Sequence, residues 1–302
     1  MQEGSARARG ESGTAMKRVH DTGRTAGPVA SSCRRARLLA GTALLAAACA
    51  TPAPSPVPDP PAGPFATAIL DTGPASSAPR YGFQYVDVTP AQLAAVPPGQ
   101  QALVWLGGYD NKTCAWSWSD ARIAAIFGQY RIAASPHTGA YFLADEPNTG
   151  HTCPSAAADV RARARLVRSL DSDQRHFTLA NIDDPAQFGA FAGTADVLAT
   201  DPYPCRVDRA CDWSLIPAFV AALRAAGIHR YMAMLQAFRE GQWRWPTAVE
   251  LEHILAQWQK SDWSGQITFS WSYAGGRLSD HPDLLSVLQR FNARPRNPLP
   301  QP

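Results

Sequence analysis

The sequence predicts an α/β protein folded as a (β/α)8 barrel of the TIM type, on three observations. Short apolar runs alternate with amphipathic segments through the body of the chain, the pattern of parallel strands joined by helices. Polar and aromatic residues gather where those strands would end, the face on which such a barrel carries its chemistry. No G-x-G-x-x-G and no phosphate-loop sequence follows the first runs, which removes the strongest argument for an open nucleotide-binding sheet.

In chain order, strands are expected at Phe65–Leu70 (the weakest), Phe83–Val88, Ala102–Leu106, Ala140–Ala144, His176–Ile182, Asp196–Thr200, Tyr231–Gln236 and Gln266–Trp271. Helices are expected at Ser119–Tyr130, Ala156–Leu170, Pro185–Phe191, Ser214–Ala226, Thr247–Lys260 and His281–Phe291. In the fifth helix Val249, Ile254, Leu255 and Trp258 fall near a 3.6-residue period and predict one buried face. Connections before residue 139 are short, so the first half of the barrel is expected to be short or distorted.

The barrel, 65–292, is preceded by a leader. Of 28 basic and 25 acidic residues, eight and three fall in 1–49, leaving 20 and 22 for the rest. A body this close to neutral lacks the basic footprint of a nucleic-acid binder. The basic leader runs into the apolar stretch Leu38–Ala48 and then Cys49. As a helix this stretch is about 16 Å long, half a bilayer core, so it predicts a secretory signal and not a span. Small residues before Cys49 are similar to a bacterial lipobox, with Ala46 where Leu is usual. Cys49 is the expected lipidation site, and a plain signal cut is the alternative. The protein is thus expected on the outer face of the bacterial cell membrane as a lipoprotein, or secreted. Seven prolines in 50–64 make that segment an extended linker, and 293–302, with four, a similar tail.

Cys114, Cys153, Cys205 and Cys211 remain in the body. In an oxidising compartment they predict two disulfides. Cys205 and Cys211 bracket a short loop and are the easy pair, leaving Cys114 with Cys153. No CxxC or HxxxH spacing, no H-E-x-x-H and no G-x-S-x-G occurs. Neither a metal, a cofactor nor a serine-hydrolase elbow is expected.

The strand ends read Tyr141-Phe142-Leu143-Ala144-Asp145-Glu146-Pro147, Asp196-Val197-Leu198-Ala199-Thr200-Asp201-Pro202-Tyr203-Pro204, Met234-Leu235-Gln236-Ala237-Phe238 and Phe269-Ser270-Trp271. With these motifs the chain resembles the (β/α)8 glycoside hydrolases over residues 80–290. The resemblance implies a cleft for a polysaccharide or cell-surface glycan and, with it, hydrolysis. Glycosidic cleavage needs a carboxylic acid to protonate the leaving oxygen and a second carboxylate as nucleophile or base. Glu146, just past a strand and near aromatic walls, is the expected acid; its alternative role is to cap or pair with the following helix. Asp201 is the expected partner, with an equal case for anchoring its own turn.

Asp145 and Glu146 are adjacent, so a regular strand would point them to opposite faces, and Asp145 is expected to position rather than react. The large retaining clan has a glutamate at the end of the seventh strand; Gln236 stands there. Glu240, four residues on, and Asp87, on the second strand, are further acids. Tyr203, Gln236, Trp271 and Trp105, with Asp145 and Asp87, are the expected sugar contacts. Trp116, Trp118, Trp243 and Trp245 are loop candidates, since flat indoles stack on sugar faces. The expected function is therefore cleavage of glycosidic bonds by carboxylate acid/base chemistry. The alternative is a non-catalytic carbohydrate-binding lipoprotein that uses the same cleft.

Overall fold

A computed structural model describes residues 65–73, 77–148 and 152–294, within the compact unit Pro54–Pro302. The expected leader with Cys49, the 50–64 linker and most of the tail lie outside the described residues.

Eight parallel strands close into a barrel: β1 (Ala66–Ile69), β2 (Tyr85–Val88), β3 (Gln101–Trp105), β4 (Thr138–Asp145), β5 (Phe177–Asn181), β6 (Val197–Thr200), β7 (Tyr231–Gln236) and β8 (Gly265–Phe269). The segment that looked weakest, β1, closes the ring: Ala66 lies opposite Gly265 of β8, and Ala68 opposite Tyr85 of β2. Helices α1 (Asp120–Tyr130), α2 (Ala156–Leu170), α3 (Phe188–Phe191), α4 (Leu215–Ala225), α5 (Ala248–Trp258) and α6 (Pro282–Asn292) follow β3 to β8 in turn. Only short 3-10 turns, Ala78–Tyr81 and Pro90–Ala95, follow β1 and β2. The thin first half thus lacks α-helices only after β1 and β2, while its strands are complete.

The strands are apolar on both sides because both sides are covered. In β7 all six residues are buried. Met232 and Met234 point into the barrel, while Tyr231, Ala233 and Leu235 meet the helices, as the two-residue period requires. Ala68, Leu103, Phe142, Leu179 and Ile267 fill the interior beside the two methionines. Each large side chain removed from water there contributes about 1.5–3 kcal/mol.

Helix α5 starts at Thr247, whose hydroxyl accepts from Glu250 N while Glu250 Oε2 accepts from Thr247 N at 2.8 Å. This reciprocal cap satisfies two otherwise unpaired donors. The buried face of α5 is Leu251, Ile254, Leu255 and Trp258. Val249, expected on that face, is 75% exposed: it sits in the first turn, two residues out of phase with Leu251. Among the described residues no helix is long and apolar enough to cross a membrane.

Candidate active site

Three neighbouring strands deliver acids to the C-terminal mouth. Asp145 is the last residue of β4 and lies in register with Asn181, the last of β5. Asn181 donates from Nδ2 to Asp145 Oδ1 at 3.0 Å. The chain after β5 stays extended, with Ile182 N bonded to Ala199 O at 2.9 Å. Counting by two from the inward Leu179 therefore carries Asn181 and Asp183 to the same side. Asp201 follows β6 directly and is 7% exposed. Burial pushes the Asp183 carboxyl up to about 7, and the negative charges of Asp201, Asp145 and Asp184 push in the same direction. A carboxyl so placed holds a proton near neutrality.

Glu146 is placed by its backbone. Its N–H donates to Asn181 O at 2.9 Å and its carbonyl accepts from Asn111 Nδ2 at 2.8 Å. Its φ of 50° lies in the left-handed region, so strand alternation ends at this residue. The expectation that Asp145 and Glu146 face opposite ways on a regular strand does not apply, and Asp145 belongs to the acidic group through Asn181. Asn111 also accepts from Asn148 N at 2.9 Å. The Cys114–Cys153 disulfide joins the same two loops.

The ends of β6, β7 and β8 carry a group of aromatic rings. Tyr203 lies 4.9 Å from Phe238 and 6.4 Å from Phe269, ring centre to ring centre. Phe269 lies 4.7 Å from Tyr273, and Trp243 is 6.1 Å from both Tyr203 and Phe238. Trp105, against Phe142 at 4.6 Å, belongs to the same interior group.

Asp87 points inward from β2, four strands round the ring from β6. Its Oδ2 accepts from Asp71 N at 3.3 Å, and its buried Oδ1 has no partner. Burial, reinforced by the Asp71 charge, pushes its carboxyl up to about 7.

Two expected sugar contacts are corrected. Gln236, 1% exposed, accepts from Cys205 N at 2.9 Å and donates to Cys205 O and Arg244 O, each at 2.8 Å. Both its N–H groups are thereby engaged, and it buttresses the loops after β6 and β7. Trp271 packs in the outer layer, 6.1 Å from Tyr81, because β8 ends at Phe269 and the chain turns out beyond it. Phe269 is the aromatic that closes β8 into the mouth. Trp116 and Trp118 are also outer-layer residues: the Arg163 guanidinium sits 4.2 Å over Trp116 and donates to Trp118 O at 2.7 Å. Trp245 stacks on His281 at 4.0 Å.

Cys205 is bonded to Cys211. With Glu250 they form the only close group of three metal-type side chains among the described residues. The two sulfurs are bonded to each other, and Glu250 pairs with Arg244 at 2.7 Å, so this group is not a ligand set.

Sequence reasoning missed Asn181 and Asp183. The signal was present: counting by two along β5 from Leu179 reaches both.

No family model and no curated protein matches the chain. Among solved structures it is similar to a beta-glucuronidase from Faecalibacterium prausnitzii, at 12% identity and a TM-score of 0.52, over 76% of this chain and 49% of that one. It is also similar to an FMN-binding beta-glucuronidase from the same species, at 10% identity and a TM-score of 0.51, over 78% and 44%. A beta-mannanase from the blue mussel Mytilus edulis matches at 11% identity and a TM-score of 0.43, over 76% and 92%. The chain thus spans about half the length of the two glucuronidases. The two glucuronidase likenesses show a shared barrel fold.

Proposed function

We propose that the chain is an exported, carbohydrate-active barrel that cleaves glycosidic bonds of a polysaccharide or cell-surface glycan. The observation that supports this most is the placement of Asp145, Asp183 and Asp201 on three adjacent strand ends, at the same end of the barrel as the aromatic group around Tyr203. A carboxyl that keeps its proton near neutrality, with further carboxyls and flat apolar rings nearby, is what glycoside hydrolysis uses. In this reading Asp183 gives its proton to the glycosidic oxygen as the C1–O bond breaks. Asp201 then either bonds to C1 or takes a proton from the water that adds there. Asp145 holds Asn181 and keeps Asp183 protonated by its charge. Glu146, the acid expected from sequence, is the third group to test.

The test is reducing-end release by the purified protein across a polysaccharide panel, beside Asp183→Asn, Asp201→Asn and Glu146→Gln. Loss in Asp183→Asn, by about 10²-fold or more, is expected. Full activity in that variant with loss in Glu146→Gln would move the acid to Glu146. Release untouched by all three would remove the mouth as the site.

A second reading, binding without cleavage, is favoured by Gln236, which leaves the end of β7 without a carboxylate. Retained glycan binding with no release from any substrate would establish it.

Export with a lipid on Cys49 is part of the proposal, and the disulfides in the body support an oxidising compartment. Radiolabelled palmitate that enters the wild type and not Cys49→Ser would support the anchor; equal labelling would remove it.

A further inference from the structure

We propose that the mouth recognises an amino sugar, a hexosamine unit bearing a free ammonium group, and rejects uronic acids. The proposal rests on the carbohydrate reading above and names the class of sugar within it.

The first argument is the sign of the mouth. Asp145, Asp183 and Asp201 stand together on β4, β5 and β6, and Asp87 projects inward from β2 across the ring with Asp71 beside it. The charges that act most on Asp183 and on Asp87 are all negative. The guanidinium of Arg244, on the loop after β7, is turned away: it is held by both oxygens of Glu250, at 2.7 and 2.8 Å, and by Arg206 O. A uronate would bring like charge into this space, whereas an ammonium would find charge-assisted acceptors.

The second argument is an acceptor lacking a donor. Asn181 is 0% exposed, and its Oδ1 is buried with no hydrogen-bond partner. Its orientation is fixed, because Nδ2 must face the Asp145 carboxylate, which can only accept. A buried amide oxygen left unpaired is costly, and it sits within the acidic group. A ligand N–H or O–H pointing at β5 would satisfy it. An ammonium has three such hydrogens, enough for Asn181 and two carboxylates at once.

The third argument excludes a bare metal ion. Among the described residues no three of these carboxylates bring oxygens within 4.8 Å of one another, the disulfide group at Cys205 being the only set that close. Hard cations need oxygens about 2.0–2.6 Å away on several sides. An ammonium can instead use the Asn181 amide oxygen with two carboxylates, a set that needs no third carboxylate. The rings of Tyr203, Phe269 and Tyr273 add faces that attract cations as well as sugar C–H edges.

The test is calorimetric binding of the full protein to three tetrasaccharides: a β-1,4-glucosamine oligomer, its fully N-acetylated form, and an oligouronate. The expected result is a preference of about tenfold or more for the free amine, no uronate binding, and collapse of the preference in Asp201→Asn. Circular dichroism melting would confirm that the variant folds. Equal or tighter binding of the acetylated or uronate oligomer would overturn the amino-sugar assignment while leaving the carbohydrate reading intact. Polylysine binding with the same Asp201 dependence would overturn it as mere charge attraction, and saturable displacement by calcium would turn the site into a metal site. Failure of a broad glycan panel to bind at all would instead overturn the carbohydrate reading itself.

Discussion

Tyr273 donates its phenolic hydrogen to Glu240 at 2.8 Å, tying the loop after β8 to the loop after β7. The Tyr273 ring rests on Phe269, so the bond holds a carboxylate at the rim of the aromatic group. Glu240 is further fixed by paired backbone bonds with Trp243, at 2.9 and 3.2 Å. Replacing Tyr273 by Phe keeps the ring and releases Glu240. The expected outcome is a stability loss of about 1 kcal/mol and at least severalfold weaker glycan binding. Unchanged binding in a titration of the variant would show that Glu240 is only a surface acid.

The Asp183 carboxyl, pushed up to about 7 by burial and by Asp201, Asp145 and Asp184, has an ordinary value near 3.9 in the unfolded chain. The folded barrel therefore favours its protonated form. As pH rises from about 4 through 7, ionising this buried group removes stability. Asp183→Asn is expected to stabilise the protein by about 1–3 kcal/mol at pH 8 and by little at pH 4. Melting curves at the two pH values would check this; equal shifts would show that Asp183 titrates normally.

Asp201→Asn removes one of the charges that raise Asp183. The Asp183 titration, followed by carbon-13 carboxyl resonances, is then expected to move to lower pH. An unmoved titration would mean that Asp201 does not sense Asp183.

At the other end of the pH scale, hydrogen bonds from Arg244 hold Glu250 down to about 2, from an ordinary 4.5. Their pair contributes stability that is present above about 4.5 and is lost as pH falls toward 2. Glu250→Gln should lower stability at pH 7 by about 1–3 kcal/mol and flatten acid unfolding. The Arg244 link also steadies the loop that Gln236 engages, so the same variant is expected to weaken glycan binding.

Most of the strands were legible because they are largely apolar runs buried on both faces, a pattern that needs no knowledge of neighbours. Even β1 was visible, although only pairing with β8 makes it secure. The site was less legible. Asp145, Asp201 and Tyr203 sit where their strands end, which the alternation gives. Gln236 and Trp271 were misread because their surroundings come from distant chain: Cys205 lies 31 residues from Gln236, and Tyr81 is far before Trp271. Asn181 and Asp183 were overlooked because one is a polar residue inside the expected strand His176–Ile182 and the other lies just past it, although the two-residue period of β5 reaches both. Asn111 formed part of a glycosylation sequon, and nothing local announces that its amide would hold the carbonyl of Glu146.

Both disulfides, Cys114–Cys153 and Cys205–Cys211, lie in loops at the mouth, and neither crosses the barrel wall. The ring closes by strand pairing and burial, with no covalent bond in it. What the crosslinks set is the rim: one fixes the turn that carries Glu146, and the other fixes the loop that Gln236 grips. Reduction is therefore expected to loosen the rim and to leave the scaffold standing.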